Sequence, residues 1–434
     1  MSIRNSMIRR LALSAALALA ACGGGGGGKG DAQIRLLNLS TGYSSLDLIT
    51  NIDADDNDDD ETQSTGVALE TVSDYSKLDP DDYTIKLKRT GSGSVLRSFA
   101  GEQLVEDTIN TYVAFGEVGA FGALRLDDTQ DEADAGETKL SVANLSSAGA
   151  VDVYITAADV DLPDTTPVVS SVGASFAAIA VDSGTFRLRV TAAGDSSDVR
   201  LDVPGFALAE RGVAALIFTS TQGGTLANAI YMPQKGQPTK LVNTKSRLRA
   251  AIAVANGASA SVQVGGVPVL AAATAGVIGS RYTLLPSGSQ PVTIQVNGVA
   301  VAVPNVSLTA GADYTLLVWS NAAGTQASLI TDDNRLPSGA AQSKLRLLNG
   351  MSTLAAPLTL SLDFSPVVEG TLVGQASDPV EVSSGTDRQF DISNTSTAAL
   401  VLSRSGLSLG TASVYTFFMT DNGATPLGVL RRDR

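Results

Sequence analysis

A chain of 434 residues with 30 basic and 44 acidic side chains has a formal charge of −14, which repels phosphate backbones; with no basic patch interleaved with aromatics to offset it, nucleic acid is excluded as a partner. Histidine is absent and cysteine occurs once, so the commonest general base and transition-metal ligand are missing and no internal disulfide can form. Aromatics at 5% without girdles argue against a transmembrane barrel, and beyond the N-terminal leader no apolar run reaches the length of a spanning helix.

In chain order the first feature is Arg4, Arg9 and Arg10 followed by an uncharged run from Leu11 to Ala21. That run is too short to span a bilayer and suits the apolar region of a secretory signal, so residues 1–21 are expected to be cleaved. Leu19-Ala20-Ala21-Cys22 resembles the lipobox of bacterial lipoproteins, which implies that the sulfur of Cys22 carries diacylglycerol. A lipidated thiol also explains a single cysteine in an oxidising compartment. The glycine-rich segment 22–31 cannot bury side chains and loses the most entropy on ordering, so it reads as a tether. Gly23 stands where an aspartate would resemble an inner-membrane retention signal, which favours the outer membrane. The arginine pair is a weak twin-arginine match, and general secretion is the default.

The remainder repeats about every 100 residues, a length suited to small domains rather than solenoid turns. Four openings match: "IRLLNLS" from Ile34, "LSVANLS" from Leu140, "LRAAIAVANG" from Leu248 and "LRLLNGMS" from Leu345. Each is followed by a strand of period two, through Leu46 and Leu48, Val151 to Ile155, Val262 and Val264, and Leu358 to Leu362. Alternation recurs in "YTIKLKR", "FRLRVTA", "VTIQVNG" and "QFDISN", and each repeat closes on a long hairpin with turn signals at Gln222-Gly223-Gly224 and Asp421-Asn422-Gly423. No apolar pattern at helical spacing lasts three turns. The predicted fold is therefore all-β: four tandem immunoglobulin-like (Greek-key) β-sandwich domains over residues 32–130, 138–235, 245–333 and 343–434, behind the leader and tether. Polar linkers separate them, and a chain that does not fold back would extend well away from the membrane with modest interfaces.

In the third unit Leu308 precedes Tyr314 by six residues, and in the fourth Leu409 precedes Tyr415 likewise. This spacing resembles the tyrosine corner of Greek-key sandwiches, in which the hydroxyl bonds backbone; tyrosines filling half-buried strand positions are the alternative. Beyond single residues, the opening strand, the "VDVYI" strand from Val151, the "GTFRLRV" strand from Gly184 and the final hairpin together resemble the bacterial domain of unknown function 4397. That resemblance implies a secreted or lipid-anchored protein with tandem domains and implies no established reaction. The family's opening strand usually ends in a histidine followed by Ala-Ser-Pro, where Asn38, Asn144, Ile252 and Asn349 stand here, so no role of that histidine carries over.

"NIDADDNDDDE", Asn51 to Glu61, is the sharpest local feature. Asp53, Asp55, Asn57 and Asp59 alternate so that their oxygens could face calcium, although the EF-hand glycine and glutamate are replaced by Asp58 and Ser64. A solvated acidic loop is the plainer reading. Any serine triad would lack its histidine, and the glycine run lacks the flanking strand, helix and Lys-Ser/Thr of a phosphate loop. Trp319, Tyr43, Phe121 and Tyr231 read as half-buried strand residues, with sugar stacking as the alternative. The sequence thus predicts a non-catalytic lipoprotein, lipid-anchored to the outer membrane on its periplasmic or surface face. The alternative is a binding protein for a glycan or protein partner with a calcium-ordered loop in the first domain.

Overall fold

The computed structural model describes residues 30–52, 59–254, 257–421, 423 and 425–434, and among them no helix occurs. Each of the four units folds into two facing antiparallel-rich sheets of four or five strands, the third unit carrying a further two-stranded sheet of Gly288–Gln290 and Val306–Leu308. In the first unit one sheet has the order Thr71–Val72, Ala32–Leu39, Ile109–Phe115, Gly122–Asp127, and the other Glu61–Ala68, Ser45–Ile52, Asp82–Arg89, Val95–Gln103. Period-two alternation sends Ile34, Leu36, Leu46, Leu48, Ile85 and Leu87 into the space between them, all fully buried. Burying each such side chain contributes on the order of 1.5–3 kcal/mol. Separate cores of the same kind fill the other three units.

The opening strand runs parallel to the penultimate strand in every unit. Ala32–Leu39 pairs with Ile109–Phe115, Glu137–Asn144 with Gly212–Ser220, Lys245–Ala253 with Asp313–Asn321, and Gln342–Asn349 with Ser413–Asp421. Parallel neighbours cannot be joined by a tight hairpin. The intervening chain therefore crosses between the sheets, giving a Greek-key sandwich with its opening strand inside a sheet, whereas the constant-type immunoglobulin order puts it at an edge.

Both faces of the opening strands are buried, and this corrects the expectation of a string of beads. Alternation places Leu37, Leu39, Val113 and Leu126 on the outside of the first unit, where they pack against Ala215, Ile217, Ile230 and Met232 of the second. In the same way Ala251, Ala253, Ile278 and Leu317 of the third unit meet Leu348 and Phe418 of the fourth. Gly350 permits that approach, because a Cβ there would lie 2.5 Å from the Cβ of Ala253. The two pairs then stack end on end. The hairpin tip of the second unit docks on the third: Gly223 donates its N–H to the Gly311 carbonyl at 2.9 Å and its own carbonyl accepts from Asn334 at 3.1 Å. Gly311 has φ +76°, and a Cβ there would lie 2.8 Å from that of Thr221, so both its conformation and its contact select glycine. Arg434 reaches from the fourth unit to the carbonyls of Gly224 at 2.7 Å, Asn334 at 3.0 Å and Ser147. Ion pairs Arg335–Glu117 and Lys240–Glu70 clasp the first unit from the two later linkers.

The tyrosine spacing has a structural counterpart. The hydroxyl of Tyr314 accepts the N–H of Thr309 at 3.0 Å, and that of Tyr415 accepts the N–H of Gly410 at 2.9 Å, at the connection into the penultimate strand. In the first unit the stretched spacing lets Tyr112 reach only the Glu102 carboxylate, at 3.4 Å. Tyr415→Phe is expected to cost about 1 kcal/mol, the worth of one such bond, as a lower urea midpoint with unchanged slope.

Candidate binding cleft between the first and second units

Of the residues that the sequence nominates as a site, Cys22, Asp53, Asp55 and Asn57 lie outside the described residues. Asp59 is exposed, and its neighbour Asp60 is engaged by Lys86 at 2.7 Å and by Lys88. Hydrogen bonds from those two lysines hold the Asp60 carboxyl below its ordinary range. Among the described residues no three metal-ligating side chains cluster. Trp319 bonds Ser328 at 2.9 Å and lies against Gly374 of the fourth unit. Tyr43 meets Phe121 edge-on at 5.5 Å, and Tyr231 meets Phe206 at 5.3 Å. These aromatics pack within and between units.

A repeated polar triad is the best-organised constellation, and the sequence reading passes over it. An arginine on the outward face of the opening strand, a threonine beside it on the penultimate strand and an aspartate at the end of the last strand form Arg35–Thr111–Asp128, Arg249–Thr315–Asp332 and Arg346–Thr416–Asp433. Strand register sets the arginine opposite the threonine each time. The arginine Nε donates to the threonine hydroxyl at 2.8, 3.0 and 2.9 Å respectively, and the threonine donates to the aspartate. The signal was present in the repeats as R in "IRLLN", "LRAA" and "LRLLN", T in "TYV", "YTLL" and "YTFF", and the closing D of "RLDD", "LITD" and "RRD".

Between the third and fourth units two triads interlock. Arg249 gives Nη1 to Asp433 at 2.5 Å, while Nη2 of Arg346 lies 2.7 Å from Asp332 in an ionic contact without hydrogen-bond geometry. Each unit thus supplies the cation for the other's anion, the reciprocity of a two-fold interface. Tyr282 donates to Asp332 at 2.7 Å and offers its ring to Arg247 and Arg249 at 4.6 and 4.8 Å. Burial alone would raise the Asp332 carboxyl; Arg346, Arg249, Thr315 and Tyr282 outweigh it and hold the group below its usual range.

The first pair holds only half of this network. In the second unit the three positions are Ser141, Ala215 and Gln234, as the strand register and the shared N–H···O contact of Gln234 and Asp128 with the penultimate strand define them. Arg35 and Thr111 therefore bond their own Asp128, joined by Tyr75 at 3.2 Å, whose ring lies 4.3 Å from the guanidinium. All of those bonds use Oδ2. Asp128 Oδ1 and Arg35 Nη1 carry no hydrogen bond or ion pair among the described residues. Burial raises the Asp128 carboxyl, outweighing Thr111, Arg35 and Tyr75. Beside the half-network opens a cleft of about 820 Å³ lined by Arg35, Tyr75, Gln130, Gln234 and, at its rim, Asp74, Asp131, Glu132 and Lys235.

No curated protein matches the chain. Among solved structures it is similar to a family 26 carbohydrate-binding module from Eubacterium rectale, determined with maltoheptaose, at 9% identity and TM-score 0.16, over 43% of this chain and 92% of that one. It is also similar to the TIE protein of Bacillus anthracis, at 10% identity and TM-score 0.15, over 91% of this chain and 69% of that one. Likenesses so slight carry no functional argument. Residues 32–154, the first unit and the opening two strands of the second, match the family described as Domain of unknown function (DUF4397), and since the later units repeat the same strand order, the chain resembles that family.

Proposed function

We propose that the protein is a non-catalytic cell-envelope lipoprotein, held to the outer membrane through lipid on Cys22, whose stacked sandwiches serve as a structural or interaction module. The observation that carries this reading is where the chain enters the fold. Gly30 lies beside Glu106 and Asp107, at the end of the first unit opposite the Gly116–Phe121 turn and Leu39, while the second pair docks at that other end through Glu117. A tether of glycines leaving from the free end of the stack holds the whole assembly on one side of its anchor. The buried charges described above join unit to unit, a use that suits a rigid scaffold. Cys22→Ser is expected to move the protein from the membrane pellet to the soluble fraction and to abolish incorporation of labelled palmitate, which the unsubstituted protein takes up. Absence of label in the unsubstituted protein would sink the proposal.

A further inference from the structure

From the comparison of the four units we infer that the third carries a binding pocket for one small, uncharged aromatic molecule, set between its two sheets where its sister units place a pair of rings of their own. In the fourth unit Phe390 and Phe417 stack at 5.2 Å, both fully buried. In the second, Phe206 meets Tyr231 at 5.3 Å, and in the first Phe99 meets Tyr112 at 5.1 Å. The third unit has aliphatic side chains at the corresponding places. Val264 and Leu362 each end a strand at a two-residue turn, and the residues opposite them are Val292 and Phe390. One position beyond the triad threonine stand Leu316, Phe417 and Tyr112. Across the closing hairpin Leu329 faces Leu316 as Tyr231 faces Leu216. Val306 precedes Leu308 by two residues, as Phe206 precedes Leu208.

Those four replacements, Val292, Val306, Leu316 and Leu329, all line a single pocket of about 240 Å³. Where Phe390 is fully buried, its counterpart Val292 is only half-buried, so the shorter side chains leave room that solvent-borne molecules can enter. Wall atoms facing a void forfeit their dispersion partners on that side, and a ligand restores them. A dry apolar cavity of roughly 150 Å³ accepts benzene, so the larger space here holds one substituted ring. No charged side chain lines the pocket, and an ion entering it would lose hydration without a counter-charge. Exposed Asn305 and Ser307 stand at its edge, where a hydroxyl on the ring stays among polar groups. The pattern set by Phe390 and Phe417, two rings tilted by only 21°, favours a flat guest over a puckered one.

Thermal-shift and calorimetric titration of the full chain with 4-methylphenol and its saturated counterpart 4-methylcyclohexanol tests this. The phenol is expected to raise the melting temperature by mass action and to bind several-fold more tightly than the cyclohexanol. Val292→Phe combined with Leu316→Phe rebuilds the ring pair of the fourth unit inside the third, and that variant is expected to lose the response to the phenol. Should it fail to fold, Val306→Phe, a half-buried change that copies Phe206 of the second unit, is expected to weaken binding about tenfold or more, about 1.4 kcal/mol in binding free energy. No response to 4-methylphenol, equal binding of the two probes, a response retained in the folded double variant, or parental affinity in Val306→Phe would each overturn the inference.

Discussion

Arg346→Ala is expected to destabilise the protein by about 3–5 kcal/mol, the cost of removing one member of a buried charge pair and stranding its partners. Two carboxylates, Asp332 and Asp433, would then share the Arg249 guanidinium as their cation, with the Thr416 hydroxyl losing its donor at 2.9 Å and keeping the longer bond from Arg249 Nη2 at 3.4 Å. The acid limb of stability should move as well. A carboxylate held below its unfolded value contributes stability above that unfolded value and loses it as pH falls through the folded one. Asp332 is of this kind, and so is Asp333, whose carboxyl burial would raise but Arg335 and Lys344 draw down to about 2. Melting temperature should therefore hold down to about the ordinary aspartate value near 3.9 and fall below it. In Arg346→Ala the Asp332 share of that fall should shrink and be complete at higher pH, because the largest influence lowering the folded Asp332 carboxyl is gone while its unfolded value is unchanged. An unshifted acid limb, or a loss below about 1 kcal/mol, would show that the cross-unit network contributes little.

Phe418→Ala should be comparably damaging for a different reason. The ring is fully buried between the third and fourth units with Ala251, Ala253, Leu317 and Leu348 around it, and emptying such a site costs about 3–5 kcal/mol because neighbours relax only partly into the void. The cavity opens at an interface rather than inside a unit. The third and fourth units should thus melt as separate transitions in the variant and together in the parent, read by calorimetry. If the parent already melts in separate steps with the variant unchanged, the pairing does not couple the units.

The sequence made the inner half of each sandwich legible and hid the outer half. Opening, second and closing strands were readable because Ile34, Leu36, Val151, Val153, Leu358 and Leu360 alternate against polar neighbours around one core. Edge strands such as Val95–Gln103 escaped notice: with both faces largely solvated, their composition carries no period. The pairing of units was hidden in plain view by Leu37, Leu39, Ile217 and Phe418, which an alternation rule assigns to the outside and which find cover only in another unit. The triads went unread for a related cause. Arginine between aliphatics on a strand reads as a solvent-facing residue, and only the three-dimensional register brings Thr111, Thr315 and Thr416 beside it. The acidic run drew attention by its composition, yet Asp60 at its described end is answered by two lysines.

The parallel pairing of each opening strand with the penultimate one has a mechanical corollary. Any pull applied at Gly30 runs along Ala32–Leu39, whose partner lies alongside in register from Gln33 opposite Ile109 to Leu39 opposite Phe115. Tension in that direction loads the ladder in shear, so its rungs share the force and must yield together instead of unzipping one at a time. The strand that first takes such a load is the one best placed to resist extraction.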